Sequence, residues 1–281
     1  MFRTLIKAGE LAARAQPTLV VDCRFSLADT EAGARAFAEG HVPGAVYAHL
    51  DRDLSGPGEG LGRHPLPQPA AFAATLARWG WRPGLQVVAY DDAGGAMAAR
   101  LWWLLKLVGH EAVAVLDGGW QAWREAGLPV ETTAQVPQPV PLHTLSFDAG
   151  RIVYVDELQH LLGQSGTLLL DARAAARFRG ESEPVDAVAG HIPGARNRPL
   201  GENLDQDGHF KAPERLRQEF DAALQGRAPG SVLHMCGSGV TACHNLLAME
   251  HAGLHGARVF APSWSGWISD PSRPVERGAA A

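Results

Sequence analysis

Short apolar runs alternate with longer amphipathic stretches along this chain of 281 residues. In the first half, the apolar runs predict β-strands at 18–22, 46–48, 86–91 and 112–116. The stretches between them have helical spacing and predict helices at 33–39, 69–79, 95–107 and 119–126. Because strands that alternate with helices form parallel sheets, the pattern predicts the α/β class, with a mainly parallel sheet flanked by helices on both faces.

The second half of the sequence repeats the first. The motif Gly-His-x-Pro-Gly-Ala occurs at 40–45 and again at 190–195, and Asp-x-Arg occurs at 22–24 and again at 171–173. The motifs follow the same order in both halves. A duplication of this kind indicates that the chain consists of two homologous domains.

The duplication also predicts where the domains begin and end. The first domain is expected at 1–135 and the second at 151–281. Alternating prolines lie between them, and such a sequence forms an extended, semi-rigid connection. We therefore expect a proline-rich linker at 136–150.

A cysteine at the end of a predicted strand distinguishes the second copy. The strand 231–235 leads into the glycine-rich run Cys-Gly-Ser-Gly-Val-Thr-Ala at 236–242, and a predicted helix follows. Backbone N–H groups of such a turn and the positive end of the helix dipole converge on the sulfur and favour a thiolate. The sequence therefore predicts Cys236 as a nucleophile. The first copy has Asp91 at this position, so only the second domain is expected to be catalytic.

Composition and charge exclude several partners. The 25 Lys and Arg are outnumbered by 30 Asp and Glu and form no run, so we expect no nucleic-acid partner. No stretch approaches the roughly 18 apolar residues of a membrane span, and no membrane partner is expected. Three scattered cysteines predict neither a disulfide framework nor a zinc site. We expect a cytoplasmic protein with no metal and no cofactor.

These motifs resemble those of the tandem rhodanese-type sulfurtransferases over essentially the whole chain. The resemblance rests on the two duplicated motifs, the cysteine loop and the tryptophans of the last helix in each copy. It implies that a thiolate takes sulfur from a small anionic donor, keeps it as a persulfide on Cys236 and passes it to an acceptor. The acceptor would be cyanide or a thiol, such as that of thioredoxin or glutathione. The loop residues that would hold these anions are Gly237, Gly239, Val240 and Thr241.

The residues after the cysteine bear on the identity of the donor. Family members that act mainly on thiosulfate tend to have Arg and Lys there, whereas this chain has Gly237 and Ser238. That string is similar to the one in 3-mercaptopyruvate sulfurtransferases, so 3-mercaptopyruvate is the favoured donor and thiosulfate the alternative. In those enzymes the serine is thought to relay a proton with a histidine and an acidic residue. His64 matches the histidine, and Asp51, or with less support Asp53, matches the acid.

The family holds the carboxylate of the donor with two arginines. Arg177 matches the first, and a guanidinium suits bidentate binding of a carboxylate. The second arginine would fall nine residues later, where this chain has Asp186. One positive charge is therefore missing unless another arginine supplies it, and the candidates are Arg179, Arg196 and Arg198.

Two other functions compete with sulfur transfer. Cysteine phosphatases also use a thiolate in an amide-lined loop, but they need an arginine six positions after the cysteine, where this chain has Ala242. A rhodanese-like module that binds partners or senses redox state without catalysis is the second alternative. The intact loop argues against loss of catalysis but not against redox sensing. We interpret Cys23 and Cys243 as structural thiols.

Overall fold

The computed structural model describes residues 1–58, 62–141, 143–162, 164 and 166–279. The chain forms two compact units. The first comprises Met1–Gly56, Leu66–Asp148 and Gln206–Phe210, and the second comprises Pro57–Pro65, Ala149–Asp205 and Lys211–Ala281. A short segment from the first half of the sequence thus belongs to the second unit, and it contains His64.

In the described part of the first unit, five strands form one parallel sheet. They are β1 (Leu5–Ile6), β2 (Thr18–Asp22), β3 (Val46–Tyr47), β4 (Gln86–Tyr90) and β5 (Val113–Leu116), in the spatial order β1-β5-β4-β2-β3. The helices are α1 (Ala8–Ala12), α2 (Ala32–Glu39), α3 (Leu50–Asp53), α4 (Pro69–Arg78), α5 (Ala98–Leu107) and α6 (Gly119–Glu125). Every residue of β4 and β5 is buried, as expected for the apolar strands at the centre of a parallel sheet.

The second unit repeats this arrangement. Its described strands are β6 (Ile152–Val153), β7 (Leu168–Asp171), β8 (Arg196–Asn197), β9 (Val232–Met235) and β10 (Arg258–Phe260), all parallel, in the order β6-β10-β9-β7-β8. The helices are α7 (Val155–Leu161), α8 (Ala175–Phe178), α9 (Pro213–Leu224), α10 (Ala242–His251) and α11 (Ser263–Trp267). The predicted α/β class, with a parallel sheet in each copy, is confirmed. Among the described helices, none is long and apolar enough to cross a membrane.

The duplicated Asp-x-Arg motif has a structural role in both units. Arg24 forms a buried ion pair with Asp22 through Nε and Nη2, and its Nη2 also donates to the carbonyl of Gly40 at 2.7 Å. The second unit repeats these contacts with Arg173, Asp171 and Gly190. The motif therefore ties the end of a central strand to the Gly-His-x-Pro-Gly-Ala turn, whether or not the unit carries the cysteine.

A buried histidine on β9 is expected to make the stability of the second unit depend on pH. His234 has no exposed surface, and its Nδ1 has no hydrogen-bond partner among the described residues. Burial, assisted by the charge of Arg198, lowers the pKa of His234 to about 3. Because the unfolded chain gains a proton near pH 6.5, the free energy of unfolding should fall as the pH drops from about 6.5 towards 3. The expected slope is up to about 1.4 kcal/mol per pH unit.

Urea unfolding measured at a series of pH values between about 4 and 7 tests this expectation. His234→Gln cannot take up the proton, so the slope of unfolding free energy against pH should flatten by up to that amount. The matched control is His160→Gln, since His160 is exposed and the substitution removes a histidine without opening the core. An unchanged slope in His234→Gln would contradict the assignment.

Candidate active site

Cys236 follows β9 directly and lies at the carboxyl end of a central strand. Its side chain is buried, with 1% exposed, and its Sγ accepts a hydrogen bond from the N–H of Gly239 at 3.2 Å. An amide donor at this distance stabilises negative charge on the sulfur. Gly239 has a φ of +80°, and a Cβ there would lie 2.3 Å from the carbonyl oxygen of Ala261. Only glycine fits the turn that brings this N–H to the sulfur.

Hydrogen bonds from the N-terminal end of α11 fix the orientation of the loop around Cys236. The N–H groups of Trp264 and Ser265 donate to the carbonyls of Cys236 and Gly237 at 3.0 and 2.8 Å. Ser263 accepts from the N–H of Cys236 through Oγ at 3.1 Å, and it holds a φ of +51° that is unusual for a residue other than glycine. These three contacts fix three consecutive peptide groups, the two that flank Cys236 and the one that follows Gly237.

The segment between α3 and α4 contributes a histidine to the second unit. Nδ1 of His64 lies 2.8 Å from Oγ of Ser238, and both side chains are buried. The neighbouring Arg63 donates its backbone N–H to Oγ of Ser265 at 3.0 Å. Gly62 has a φ of +96°, and a Cβ there would lie 2.8 Å from a carbonyl oxygen just before α11. Close contact with α11 thus sets the position of His64 beside the loop.

Arg177 lies on α8 within a cluster of alternating charges. Its Nη2 pairs with Glu183 at 2.7 Å and with Asp186 at 3.0 Å. The other carboxylate oxygen of Asp186 accepts from Nη1 of Arg63, so this buried carboxylate bridges two guanidinium groups. Burial alone would raise the pKa of Glu183, but hydrogen bonds from Arg177 and the backbone hold that pKa below its ordinary value.

Arg63 is the residue that sequence reasoning missed. The arginines considered instead make other contacts: Arg179 and Arg198 pair with Glu181 and Glu219, and Arg196 is half-buried on β8. The one sequence signal for Arg63 was its position next to His64. The resemblance places the expected partner of Arg177 in the second half of the sequence, whereas Arg63 lies in the first half.

The two candidate acids of the proton relay lie on or beside α3 in the first unit. Asp53 accepts from the backbone N–H of His49 at 2.8 Å and pairs with Arg78, so both of its oxygens are engaged. Asp51 is exposed, and its own backbone N–H donates to Nδ1 of His49. These contacts give Asp53 a local structural role, and the choice of Asp51 as the acid stays a prediction.

The remaining loop residues and thiols are largely buried. Val240 has 3% of its surface exposed, and Thr241 immediately precedes α10. Cys243 donates from Sγ to the carbonyl of Gly239 at 3.4 Å, which supports the interpretation of this thiol as structural. Burial, together with nearby carboxylates, raises the pKa of Cys23 well above its ordinary value. All three cysteines are described, and none forms a disulfide.

The equivalent loop of the first unit holds a carboxylate. Asp91 has no exposed surface and follows β4 as Cys236 follows β9. Its two oxygens accept four backbone N–H groups at 2.7–2.8 Å, from Ala93, Gly95, Met97 and Ala98. Four donors match a carboxylate, which only accepts. A loop of this type can therefore enclose a buried anion.

Comparison with known proteins agrees with the fold. The family model described as "Rhodanese-like domain" matches twice, at residues 7–126 and 154–270. A relative in Pseudomonas aeruginosa, named a probable 3-mercaptopyruvate sulfurtransferase, is 51% identical over 279 residues, which cover 98% of both chains. A relative in Mycobacterium tuberculosis, provisionally named the thiosulfate sulfurtransferase SseB, is 44% identical over 287 residues, or 99% of this chain and 98% of the relative.

A solved structure of a sulfurtransferase also matches this chain over most of its length. The 3-mercaptopyruvate sulfurtransferase from Leishmania major superimposes with a TM-score of 0.84 at 33% identity, and the match covers 96% of this chain and 76% of that one. The two family matches together span most of the sequence, and each falls on one of the parallel sheets. The chain therefore belongs to the tandem rhodanese-type sulfurtransferases.

Proposed function

We propose that the chain transfers a sulfane sulfur from a small anionic donor to a thiol or cyanide through a persulfide on Cys236. The observation that carries the proposal is the hydrogen bond from the N–H of Gly239 to Sγ of Cys236. The equivalent loop of the first unit encloses a carboxylate. The same amide environment suits both the attacking thiolate and the persulfide anion that replaces it.

3-Mercaptopyruvate is the donor that the loop favours. The thiolate of Cys236 attacks the donor sulfur, an S–S bond forms, and the carbon–sulfur bond breaks. The electron pair leaves as the enolate of pyruvate, which takes up at carbon the proton that the donor thiol gives up. The small side chains at Gly237 and Ser238 and the name of the Pseudomonas aeruginosa relative support this donor. Thiosulfate, after which the Mycobacterium tuberculosis relative is named, is the alternative.

The second half of the reaction releases the sulfur. A thiolate acceptor such as thioredoxin or glutathione attacks the outer sulfur, becomes a persulfide itself and restores the thiolate of Cys236. Cyanide accepts the same atom and leaves as thiocyanate. We propose that this occurs in the reducing cytoplasm, which agrees with three cysteines that form no disulfide.

Ser238 and His64 are proposed to carry the proton to the enolate. The 2.8 Å contact between Oγ and Nδ1 is suitable for proton exchange, and burial of both groups excludes competing water. The resemblance to the family favours Asp51, with Asp53 as the alternative, as the acidic member of the relay. That role stays a prediction.

Intact-mass measurement tests the proposed function. The protein is incubated with 3-mercaptopyruvate and then separated from it without an acceptor. Its mass should rise by about 32 Da, one sulfur atom, and the added mass should lie on the peptide that contains Cys236. Cyanide should remove that mass and yield thiocyanate. No gain with either 3-mercaptopyruvate or thiosulfate would overturn sulfur transfer and favour a non-catalytic, redox-sensing rhodanese-like module.

Ser238→Ala should separate the two donors. Loss of a general acid typically costs about 100-fold or more, so kcat with 3-mercaptopyruvate should fall by about that factor. With thiosulfate the leaving group is sulfite, which is a stable anion and needs no proton, so kcat should change by less than about threefold. Steady-state kinetics with both donors measures this difference. Equal losses of kcat with the two donors would mean that Ser238 maintains the conformation of the loop and does not deliver the proton.

A further inference from the structure

Two guanidinium groups converge on the residue next to the candidate nucleophile. A Cβ added at Gly237 would lie 3.1 Å from Nη2 of Arg63, and 3.6 and 3.8 Å from Nη2 and Nη1 of Arg177. These atoms therefore lie on the same side of the loop, directly after Cys236. Arg63 comes from the short segment before α4, whereas Arg177 comes from α8.

The nitrogen nearest Gly237, Nη2 of Arg63, is not used in an ion pair with any described residue, and neither is Nη1 of Arg177. Arg63 uses Nη1 for Asp186, and Arg177 uses Nε and Nη2 for Glu183 and Asp186. Among the described residues, no acceptor is bonded to Nη2 of Arg63 or to Nη1 of Arg177, and Nε of Arg63 is buried without a partner. The cluster thus presents N–H donors from two side chains towards one point beside the thiol.

The charges of this cluster balance before any ligand binds. Two guanidinium groups face two carboxylates that are at most 4% exposed. Arg173, which lies 3.5 Å from Glu183, is itself paired with Asp171. An anion would therefore be recognised through directed hydrogen bonds rather than through a surplus of positive charge. A planar guanidinium provides such donors in a fixed geometry, which suits a carboxylate.

We propose that Arg63 is the second anchor of the donor's carboxylate, alongside Arg177. The proposal rests on the function proposed above and explains the aspartate at position 186. That position carries an acid here because it binds the two arginines and directs their remaining N–H groups towards the loop. The second guanidinium, which is missing from the second half of the sequence, is supplied by the segment that also carries His64. Donor binding and proton delivery are thereby linked within two consecutive residues.

Binding and turnover measured separately test the role of Arg63. Loss of a charge-assisted contact should raise KM for 3-mercaptopyruvate about 10- to 100-fold in Arg63→Ala, while kcat falls less than about threefold. In a Cys236→Ser background, which cannot turn over, the same substitution should raise the Kd for 3-mercaptopyruvate by a similar factor. Isothermal titration gives that Kd. Arg63→Gln keeps a hydrogen-bond donor to Asp186 but lacks the charge, so it should show most of the loss of donor affinity seen in Arg63→Ala.

Two matched variants control for indirect effects. Arg179→Ala removes an exposed arginine that pairs with Glu181, and KM should stay within about twofold. Gly237→Ala adds a Cβ against both guanidinium groups, whose flexible ends can move aside, so the protein should fold normally with a raised KM. Circular dichroism and thermal unfolding confirm folding of each variant.

The results that would overturn the proposal are distinct from those that would overturn sulfur transfer. If the wild-type protein forms the persulfide but Arg63→Ala leaves KM and Kd unchanged, Arg63 is not an anchor. If Arg63→Ala lowers kcat as much as His64→Ala does, without raising KM, its role is only to hold His64. Failure of the wild-type protein to form a persulfide would instead remove the proposed function itself.

Discussion

Replacing Cys236 with serine is expected to lower sulfur transfer by at least about 1,000-fold, because a hydroxyl cannot form a persulfide. The fold should survive the change. Serine is smaller than cysteine, and its hydroxyl can accept the same hydrogen bond from the N–H of Gly239. Thiocyanate production and the intact mass after incubation with donor are the two measurements, and neither product nor added sulfur should be detected.

Cys23→Ala is the matched control for that experiment. Cys23 follows a central strand of the first unit, is buried, and has a pKa raised by burial and neighbouring carboxylates, so it should stay a thiol. This variant should keep the added sulfur on Cys236 and nearly normal kcat. Sulfur transfer or a persulfide that persists in Cys236→Ser would contradict the assignment of the nucleophile.

The features that could be predicted from sequence are those with local patterns. The apolar strand before Cys236, the glycines after it and the duplicated motifs are all contiguous, so the fold class and the cysteine loop could be read directly. The strand β1 and the helix α3 were not predicted. Two and four residues are too short to show a period, and their conformation depends on pairing and packing with distant parts of the chain.

The cluster of Arg63, Arg177, Glu183 and Asp186 could not be predicted because it depends on contacts between residues that are distant in sequence. The ion pair between Arg63 and Asp186 joins residues 123 positions apart, and no local pattern records it. The match to the family predicts a role for Arg177 and makes Asp186 a departure from the family pattern. In the folded chain the same aspartate explains how both arginines are oriented.

Asp91→Ala is expected to destabilise the first unit strongly, because it leaves four backbone N–H groups without their acceptor. Each of these donors binds a buried carboxylate at 2.7–2.8 Å. A buried donor without a partner costs about 1–3 kcal/mol, and water can reach part of the vacated loop. We therefore expect a loss of about 3 kcal/mol or more. For a unit of this size, that lowers its Tm by roughly 6–12 °C in calorimetry.

Asp92→Asn is the matched control, since Asp92 is adjacent and exposed and its change should stay within about 0.5 kcal/mol. The loss of stability in Asp91→Asn should lie between those of Asp91→Ala and Asp92→Asn. The amide oxygen still accepts hydrogen bonds, while the NH2 group opposes the other backbone donors. If Asp91→Ala unfolds like the wild-type protein, the loop amides do not depend on an anion. The parallel between this loop and the one around Cys236 would then no longer support stabilisation of a persulfide anion by backbone N–H groups.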